Sequence, residues 1–143
     1  MILKIKMDTA CERLKPLQAT QGSAGLDLRA KGHHILYPDD TKIIPTGLRI
    51  AIESGYEAQI RPRSGHAKKC ILVVNSPGTI DSDYRGPIGV LLHNLGNQVF
   101  KIEDGDRIAQ MVIAPVPVVD IIYVDELDET TRGKGGFGST GVS

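Results

Sequence analysis

The amino-acid sequence predicts an all-β fold, a jelly-roll-like sandwich or barrel, from three observations. Apolar residues alternate with polar residues over several short stretches, as in strands with two distinct faces. Sixteen glycines and eight prolines divide these stretches, which leaves no room for long helices. We count about ten such stretches, which is typical of a sandwich rather than of alternating strands and helices.

The alternation is clearest at residues 48–53, 107–113 and 118–123. The last of these belongs to a predicted strand from Ile113 to Val124 that is apolar on both faces. Two explanations stay open for this strand: burial between subunits, or burial within the sandwich.

The one helix that we expect is short. It would begin at Ser64, whose hydroxyl can act as its cap, and end at Cys70.

Length and composition predict one domain over residues 1–143. Half of residues 132–141 are glycines, so residues 132–143 are expected to form a mobile tail. Seventeen basic and seventeen acidic residues cancel, which disfavours a nucleic-acid binder. No stretch predicts a membrane span or a signal peptide. We therefore expect a cytoplasmic protein whose two cysteines, Cys11 and Cys70, are reduced thiols.

Two early clusters place charged groups among apolar or turn residues. Asp27 lies between Leu26 and Leu28, where composition alone favours a carboxylate on the surface. In Arg-Pro-Arg-Ser-Gly-His, the Ser64 hydroxyl and a backbone N–H at a helix start form an anion site, to which Arg63 adds a planar fork of donors. The alternative is a capped turn with solvated arginines.

The third cluster, residues 75–86, contains an amide, two acids and an aromatic ring. The Asn75 amide can both donate and accept, which suits the edge of a nucleobase. Asp81 follows Thr79 and Ile80, so we expect it to be partly buried and able to orient a water molecule. The alternative is a hairpin loop, where Asn and Asp are common.

The last two clusters are Gly-Asp-Arg-Ile-Ala-Gln, which ends at Gln110, and the glycine-rich tail. Gln110 is polar on an apolar strand and needs a hydrogen-bond partner, which a purely structural role would also require. Successive N–H groups of the tail, with Arg132, Ser139 and Thr140, can wrap phosphates. Phe137 would stack on a flat ligand or pack on its own core. The residues alone indicate a phosphate-binding all-β protein.

Together, in this order, the clusters resemble the five motifs of the trimeric dUTPase family, from Ala24 to Gly141. The matching segments read AGLDL, PRSG, GTIDSDYRG, GDRIAQ and RGKGGFGSTG. The resemblance implies a homotrimer of jelly-roll-like subunits that hydrolyses dUTP to dUMP and pyrophosphate with Mg²⁺. It also implies three active sites at subunit interfaces, each closed by the tail of another subunit.

The resemblance further implies a role for each matching residue. Asp81 would orient the water that attacks the α-phosphorus. Asp27 would help hold Mg²⁺ through bound water, while the phosphates grip the metal. The phosphates would be bound by Arg63, Ser64, Gly65 and Gln110. The uracil would be recognised by Asn75 and by backbone groups around Thr79, Ile80 and Gly89, while Tyr84 would pack on the deoxyribose. In the tail, Phe137 would stack on uracil, and the site would be closed by Arg132, Gly138, Ser139 and Thr140.

Two residues depart from the family pattern: His66, where a small or aliphatic residue is expected, and Cys70, where glycine is common. Neither carries a predicted role. A dCTP deaminase, which is similar in fold, would need an added acid–base group, and the motifs offer no candidate glutamate. A non-catalytic β trimer would be expected to lack Asp81 or the tail, and both are present.

Overall fold

The structure is a computed structural model that describes residues 1–136 of the chain. These residues form eleven strands, one α-helix and one 3-10 turn. The strands are β1 (Lys4–Met7), β2 (Leu17–Gln18), β3 (Gly25–Arg29), β4 (His34–Leu36), β5 (Thr41–Ala51), β6 (Tyr56–Arg61), β7 (Ile71–Val73), β8 (Gly78–Ile80), β9 (Ile88–Asn94), β10 (Phe100–Ile102) and β11 (Arg107–Pro115); the helix α1 is Ser64–Ala67 and the 3-10 turn is Glu12–Leu14.

The strands form two main antiparallel sheets and a small ribbon. The first sheet has the order β1-β5-β9-β7, the second has the order β2-β3-β11-β6-β8, and β10 pairs with β4. The inner faces of both sheets and the ribbon contribute to one apolar core. This arrangement confirms the predicted all-β, jelly-roll-like fold. Within residues 1–136, no helix is long and apolar enough to cross a membrane.

The period-two pattern directs apolar side chains inward. In β5, Leu48 and Ile50 are buried while Arg49 between them is partly exposed. In β11, the register shifts between Arg107 and Ala109. A bulge of this kind adds one residue and lets neighbours in sequence point to the same side, which accounts for the burial of both Ile108 and Ala109.

Asn94 and Thr46 are buried polar side chains that hold irregular backbone together. The Asn94 Nδ2 donates to Leu36 O at 3.1 Å and Gln98 O at 2.8 Å, and its Oδ1 accepts from Gly96 N at 3.0 Å. Asn94 therefore connects β9 to β4 and to the loop that precedes β10. The Thr46 hydroxyl donates to a β9 carbonyl where the register of β5 shifts.

The predicted helix is shorter than expected, and its first residue has a different role. It ends at Ala67 rather than Cys70, where the backbone has a positive φ of 59°. Arg63, not Ser64, is the N-cap residue, and no side chain caps the helix. The Ser64 hydroxyl is thus not used by the helix.

The predicted strand from Ile113 to Val124 is also partly wrong. Strand β11 ends at Pro115, and residues 116–124 belong to no strand. Prolines at 115 and 117 lack the N–H that a strand ladder needs. Since Val118 is 95% and Tyr123 93% exposed, the apolar side chains are not buried within the sandwich of their own chain.

Candidate active site

Asp27 is the centre of a charged cluster on the outer face of the second sheet. Its side chain is only 16% exposed. Its Oδ1 accepts from Arg63 Nε at 3.0 Å and its Oδ2 from Arg107 Nη1 at 3.2 Å. The expectation of an ordinary surface carboxylate from composition is therefore wrong. Sequence reasoning gave Arg107 no role, because nothing in the motif shows that a register shift turns it toward Asp27.

Strand register places Gln110 beside this cluster. Gln110 is the cross-strand partner of both Asp27 and Arg61, so the three occupy one row of the sheet. Its Nε2 donates to Pro62 O at 2.9 Å, which supplies the predicted hydrogen-bond partner. A Cβ at Gly25 would lie 2.5 Å from Gln110 Oε1, so this amide position requires glycine on the neighbouring strand.

The turn into α1 completes an anion-binding surface, which we define as Asp27, Arg63, Ser64, Gly65 and Gln110. Ser64 and Gly65 are exposed. The first N–H groups of a helix have no partner within the helix and point toward an incoming anion. Arg63, held by Asp27, adds guanidinium donors beside them.

A cavity of about 400 Å³ lies between β8 and β9. We call it the edge cavity, because β8 is the last strand of its sheet and leaves backbone N–H and C=O groups without ladder partners. It contains all the residues of the third cluster that were predicted to carry a role, together with Gly89. The lining residues are Ile43, Asn75, Thr79, Ile80, Asp81, Tyr84, Pro87, Gly89 and Leu91.

Tyr84 forms a fixed wall of the edge cavity. Its hydroxyl donates to Pro87 O at 3.2 Å. The ring lies so close to Gly86 that a Cβ there would overlap it. The Asn75 amide lies against Gly78, 3.0 Å from where a Cβ would stand. Sequence reasoning missed Ile43 and Leu91, since an apolar strand residue gives no local signal of a ligand.

Asp81 is exposed, so the expectation that it is partly buried is wrong for the single chain. It directly follows β8, so the sheet edge presents the carboxylate at the mouth of the edge cavity. No hydrogen bond or ion pair among residues 1–136 engages its side-chain oxygens. The carboxylate is therefore free to contact a ligand or a water molecule.

One chain does not bring the two groups together. None of the five anion-surface residues lines the edge cavity. Strands β3 and β8 are separated by β11 and β6, which corresponds to roughly 14 Å across the sheet. In the tail, Arg132 is exposed and its Nε donates to Gly135 O at 3.0 Å. Phe137, Gly138, Ser139 and Thr140 lie outside the described residues.

Few carboxylates are available to the predicted Mg²⁺ in the described part of the chain. Among the residues that the structure describes, no group of three or more His, Cys, Asp or Glu could hold a metal ion. Both carboxylate oxygens of Asp27 already accept from arginines. Mg²⁺ commonly keeps several waters and takes one carboxylate plus phosphate oxygens. Asp27 thus fits contact through water, with a ligand supplying most of the coordination.

The fold and the two groups define a class of protein. A cationic surface suits phosphates. A half-apolar cavity with an amide and open backbone edges suits a planar base, and the free Asp81 carboxylate that lines it can accept a proton. The residues therefore define an all-β nucleotide-binding protein with the groups that hydrolysis needs.

Comparison with known proteins gives the family. The dUTPase family model matches residues 14–141. The deoxyuridine 5'-triphosphate nucleotidohydrolase of Nautilia profundicola is 56% identical over 142 residues, covering 99% of each chain. The enzyme of the same name from Roseobacter denitrificans is 53% identical over 145 residues, covering 97% of this chain and 95% of the relative. The chain belongs to the dUTPase family.

Solved structures agree with this membership. A mutant dUTPase of Staphylococcus bacteriophage 80alpha with dUpNHpp superposes with a TM-score of 0.90 at 26% identity, covering 99% of each chain. Another structure of the phage 80alpha dUTPase with dUpNHpp gives a TM-score of 0.89 at 26% identity. The resemblance suggested by the five motifs is confirmed at the level of both sequence and fold.

Proposed function

We propose that the chain hydrolyses dUTP to dUMP and pyrophosphate by attack of water on the α-phosphorus. Family membership supports the reaction. The observation that carries the proposal is the edge cavity, which combines an amide, an aromatic wall and a free carboxylate. The reaction limits dUTP and supplies dUMP for dTMP synthesis.

The edge cavity selects the base through its hydrogen-bonding groups and through close approach to the β9 backbone. The Asn75 amide and the open backbone edge of β8, at Thr79 and Ile80, offer donors and acceptors that match uracil and mismatch cytosine. Gly89 leaves the backbone of β9 open to close approach, and even one added carbon there would lie 2.5 Å from Ile43. A base that lies this close to the β9 backbone leaves no room on that side for the methyl group of thymine.

Tyr84 selects the sugar. Its ring is held by the hydroxyl bond to Pro87 O and by its close packing on Gly86. A ring held in this position excludes a 2'-hydroxyl by steric overlap, so a ribonucleotide binds poorly.

The anion surface binds the triphosphate. The Arg63 guanidinium, the Ser64 hydroxyl, the N–H groups of Ser64 and Gly65, and the Gln110 amide donate to phosphate oxygens. Asp27 orients Arg63 through the bond at 3.0 Å. Mg²⁺, when bound to the phosphates, supplies neutralisation of their developing charge, and Asp27 would hold it through water.

Asp81 carries the proton chemistry. Its carboxylate accepts a hydrogen bond from a water molecule and takes a proton as the water oxygen bonds to the α-phosphorus. The bond from that phosphorus to the bridging oxygen breaks, and pyrophosphate leaves. Phosphoryl chemistry of this kind depends mainly on positioning and on charge stabilisation, which the arginine and amide donors provide.

The active protein is a homotrimer in which two subunits contribute the two groups. Two observations support this assembly: the anion surface and the edge cavity lie apart in one chain, and residues 116–124 expose apolar side chains such as Val118, Ile122 and Tyr123. Apolar surface of this kind is typical of a covered interface. The tail, residues 132–143, closes the site of another subunit through Arg132, Phe137, Gly138, Ser139 and Thr140. The protein acts in the cytoplasm on a small-molecule substrate.

The test compares Asp81→Asn with Asp83→Asn. Asp83 is also exposed, lies two residues further on, and lines none of the cavity. Pyrophosphate release from dUTP is expected to fall by roughly 10²–10⁴-fold for Asp81→Asn, the usual contribution of a general base, and to change little for Asp83→Asn. The same assay with dCTP, dTTP and UTP, with and without chelator, measures specificity and the need for metal. Hydrolysis by Asp81→Asn near the wild-type rate would show that the assigned role is wrong.

A further inference from the structure

His66 lies within α1, immediately after the exposed residues Ser64 and Gly65 of the anion surface. Its ring packs edge-to-face on Phe100 of β10, with ring centroids 5.5 Å apart and an interplanar angle of 80°. Phe100 in turn packs against the buried core. A one-turn helix with no side-chain cap has little stability of its own, so this aromatic contact, together with the contacts between α1 and β7, holds α1 against the core.

The surroundings of His66 accept a neutral ring and disfavour a charged one. Its Nδ1 is buried and has no hydrogen-bond partner among residues 1–136. Both nitrogens of an imidazolium are donors, so a protonated ring would have a buried N–H without an acceptor, whichever nitrogen is protonated in the neutral form. A neutral ring that carries its proton on Nε2 has no N–H at Nδ1, so it avoids this cost, which is larger for a charged group.

Two of the three charged groups around His66 also disfavour the charged ring. Arg63 on one side of α1 and Lys69 on the other repel a positive ring, while Asp106, in the turn before β11, attracts it. Strand β10 presents Phe100, and β7, which also contacts α1, has the uncharged sequence ILV. Burial first, and then the two cations, lower the pKa of His66 below its ordinary value of 6.5.

We propose that His66 is a positioning residue for the triphosphate. Its neutral ring packs on Phe100 and holds α1 so that Arg63, Ser64 and Gly65 face the phosphates. Protonation of the ring weakens this packing. His66 need not touch the substrate, since it acts through the helix that carries the donors. Substrate binding should therefore weaken in acid because His66 becomes protonated. The inference rests on the proposed function, because it assumes that the anion surface binds the triphosphate.

The experiment measures the Kd of the non-hydrolysable analogue dUpNHpp by calorimetry at about pH 7.5 and about pH 4.5. The acidic value lies well below the ordinary histidine pKa because the pKa of His66 is lowered. His66→Phe keeps an aromatic edge on Phe100 and cannot be protonated. His33→Phe is the matched control, because His33 is exposed and its ring pairs with Glu103 rather than with a residue of α1. Protonation of the analogue itself affects all three proteins equally, so only differences between proteins count.

The expected result is a Kd that rises at least about tenfold more for wild type and His33→Phe than for His66→Phe on acidification, since one charge-assisted hydrogen bond to phosphate is worth this much. In pyrophosphate release, the same difference should fall on KM more than on kcat. His66→Ala removes the aromatic contact and should bind weakly at both pH values, with rescue by His66→Phe.

An identical acid response of wild type and His66→Phe would overturn the inference, and so would unchanged binding by His66→Ala. If His66→Ala does not fold, the comparison of wild type with His66→Phe still decides. A wild-type protein that neither binds dUpNHpp nor hydrolyses dUTP would instead refute the proposed function, so the two failures are distinguishable.

Discussion

The Gly89→Ala substitution tests how closely uracil approaches the backbone of β9. The added Cβ would lie 2.5 Å from Ile43 Cγ2, whereas carbon atoms in contact are about 3.5–4.0 Å apart. One of the two groups must therefore move by roughly 1 Å. Ile43 is 70% exposed and can turn aside, so the thermal stability should change little. The new methyl group stays at the wall of a cavity of about 400 Å³.

A methyl-sized misfit in a tight pocket costs about 1–3 kcal/mol, or roughly 10–200-fold in binding. We expect KM for dUTP to rise by this factor, measured by pyrophosphate release, while kcat falls less. Gly22→Ala is the control, because Gly22 has no atom within 4 Å of the corresponding Cβ position. A KM for Gly89→Ala within twofold of wild type would refute the claim that the base contacts the β9 backbone.

Two further predictions concern stability. Asn94→Ala removes the three hydrogen bonds of a buried side chain and should lower the free energy of unfolding by about 3 kcal/mol, measured by denaturant titration. Substitution of the exposed Asn97 by alanine should cost less than about 0.5 kcal/mol, and equal effects would contradict the role of Asn94. The Gly32 N–H and then Arg13 lower the pKa of Asp104 below 3.8, so its stabilisation is complete above that value and is lost as pH falls through the lower, folded-state pKa. The difference in Tm between wild type and Asp104→Asn should therefore shrink below about pH 4, and a constant difference would contradict this.

The fold could be predicted because period-two alternation is a local property of the chain. The alternation at Leu48 and Ile50 of β5 correctly predicted a strand whose apolar side chains are buried, since a sheet with one inner face requires that pattern. The same alternation at Val119, Ile121 and Tyr123 led to a strand that the single chain does not form. Alternation reports which side of the chain is apolar, but it does not identify the surface that covers it.

The candidate site was predicted through residue types rather than through contacts. Asn75, Asp81 and Tyr84 share a loop, so their meeting in the edge cavity follows from sequence proximity. The link from Asp27 to Arg63 and Arg107 depends on strand order and on a bulge, which no local pattern reveals. The exposure of Asp81 was also missed, because Ile80 before it is apolar yet lies at a sheet edge.

Complementation between two inactive variants tests whether each active site takes Asp81 from one subunit and Arg63 from another. Asp81→Asn and Arg63→Ala are each purified, then unfolded and refolded together in equal amounts, and pyrophosphate release from dUTP is measured. Random trimers with shared sites should recover about one quarter of the wild-type activity, since each site needs two intact contributions at even odds. A mixture no more active than its separate components would show that both residues act within one subunit, and the division of the site between subunits would be wrong.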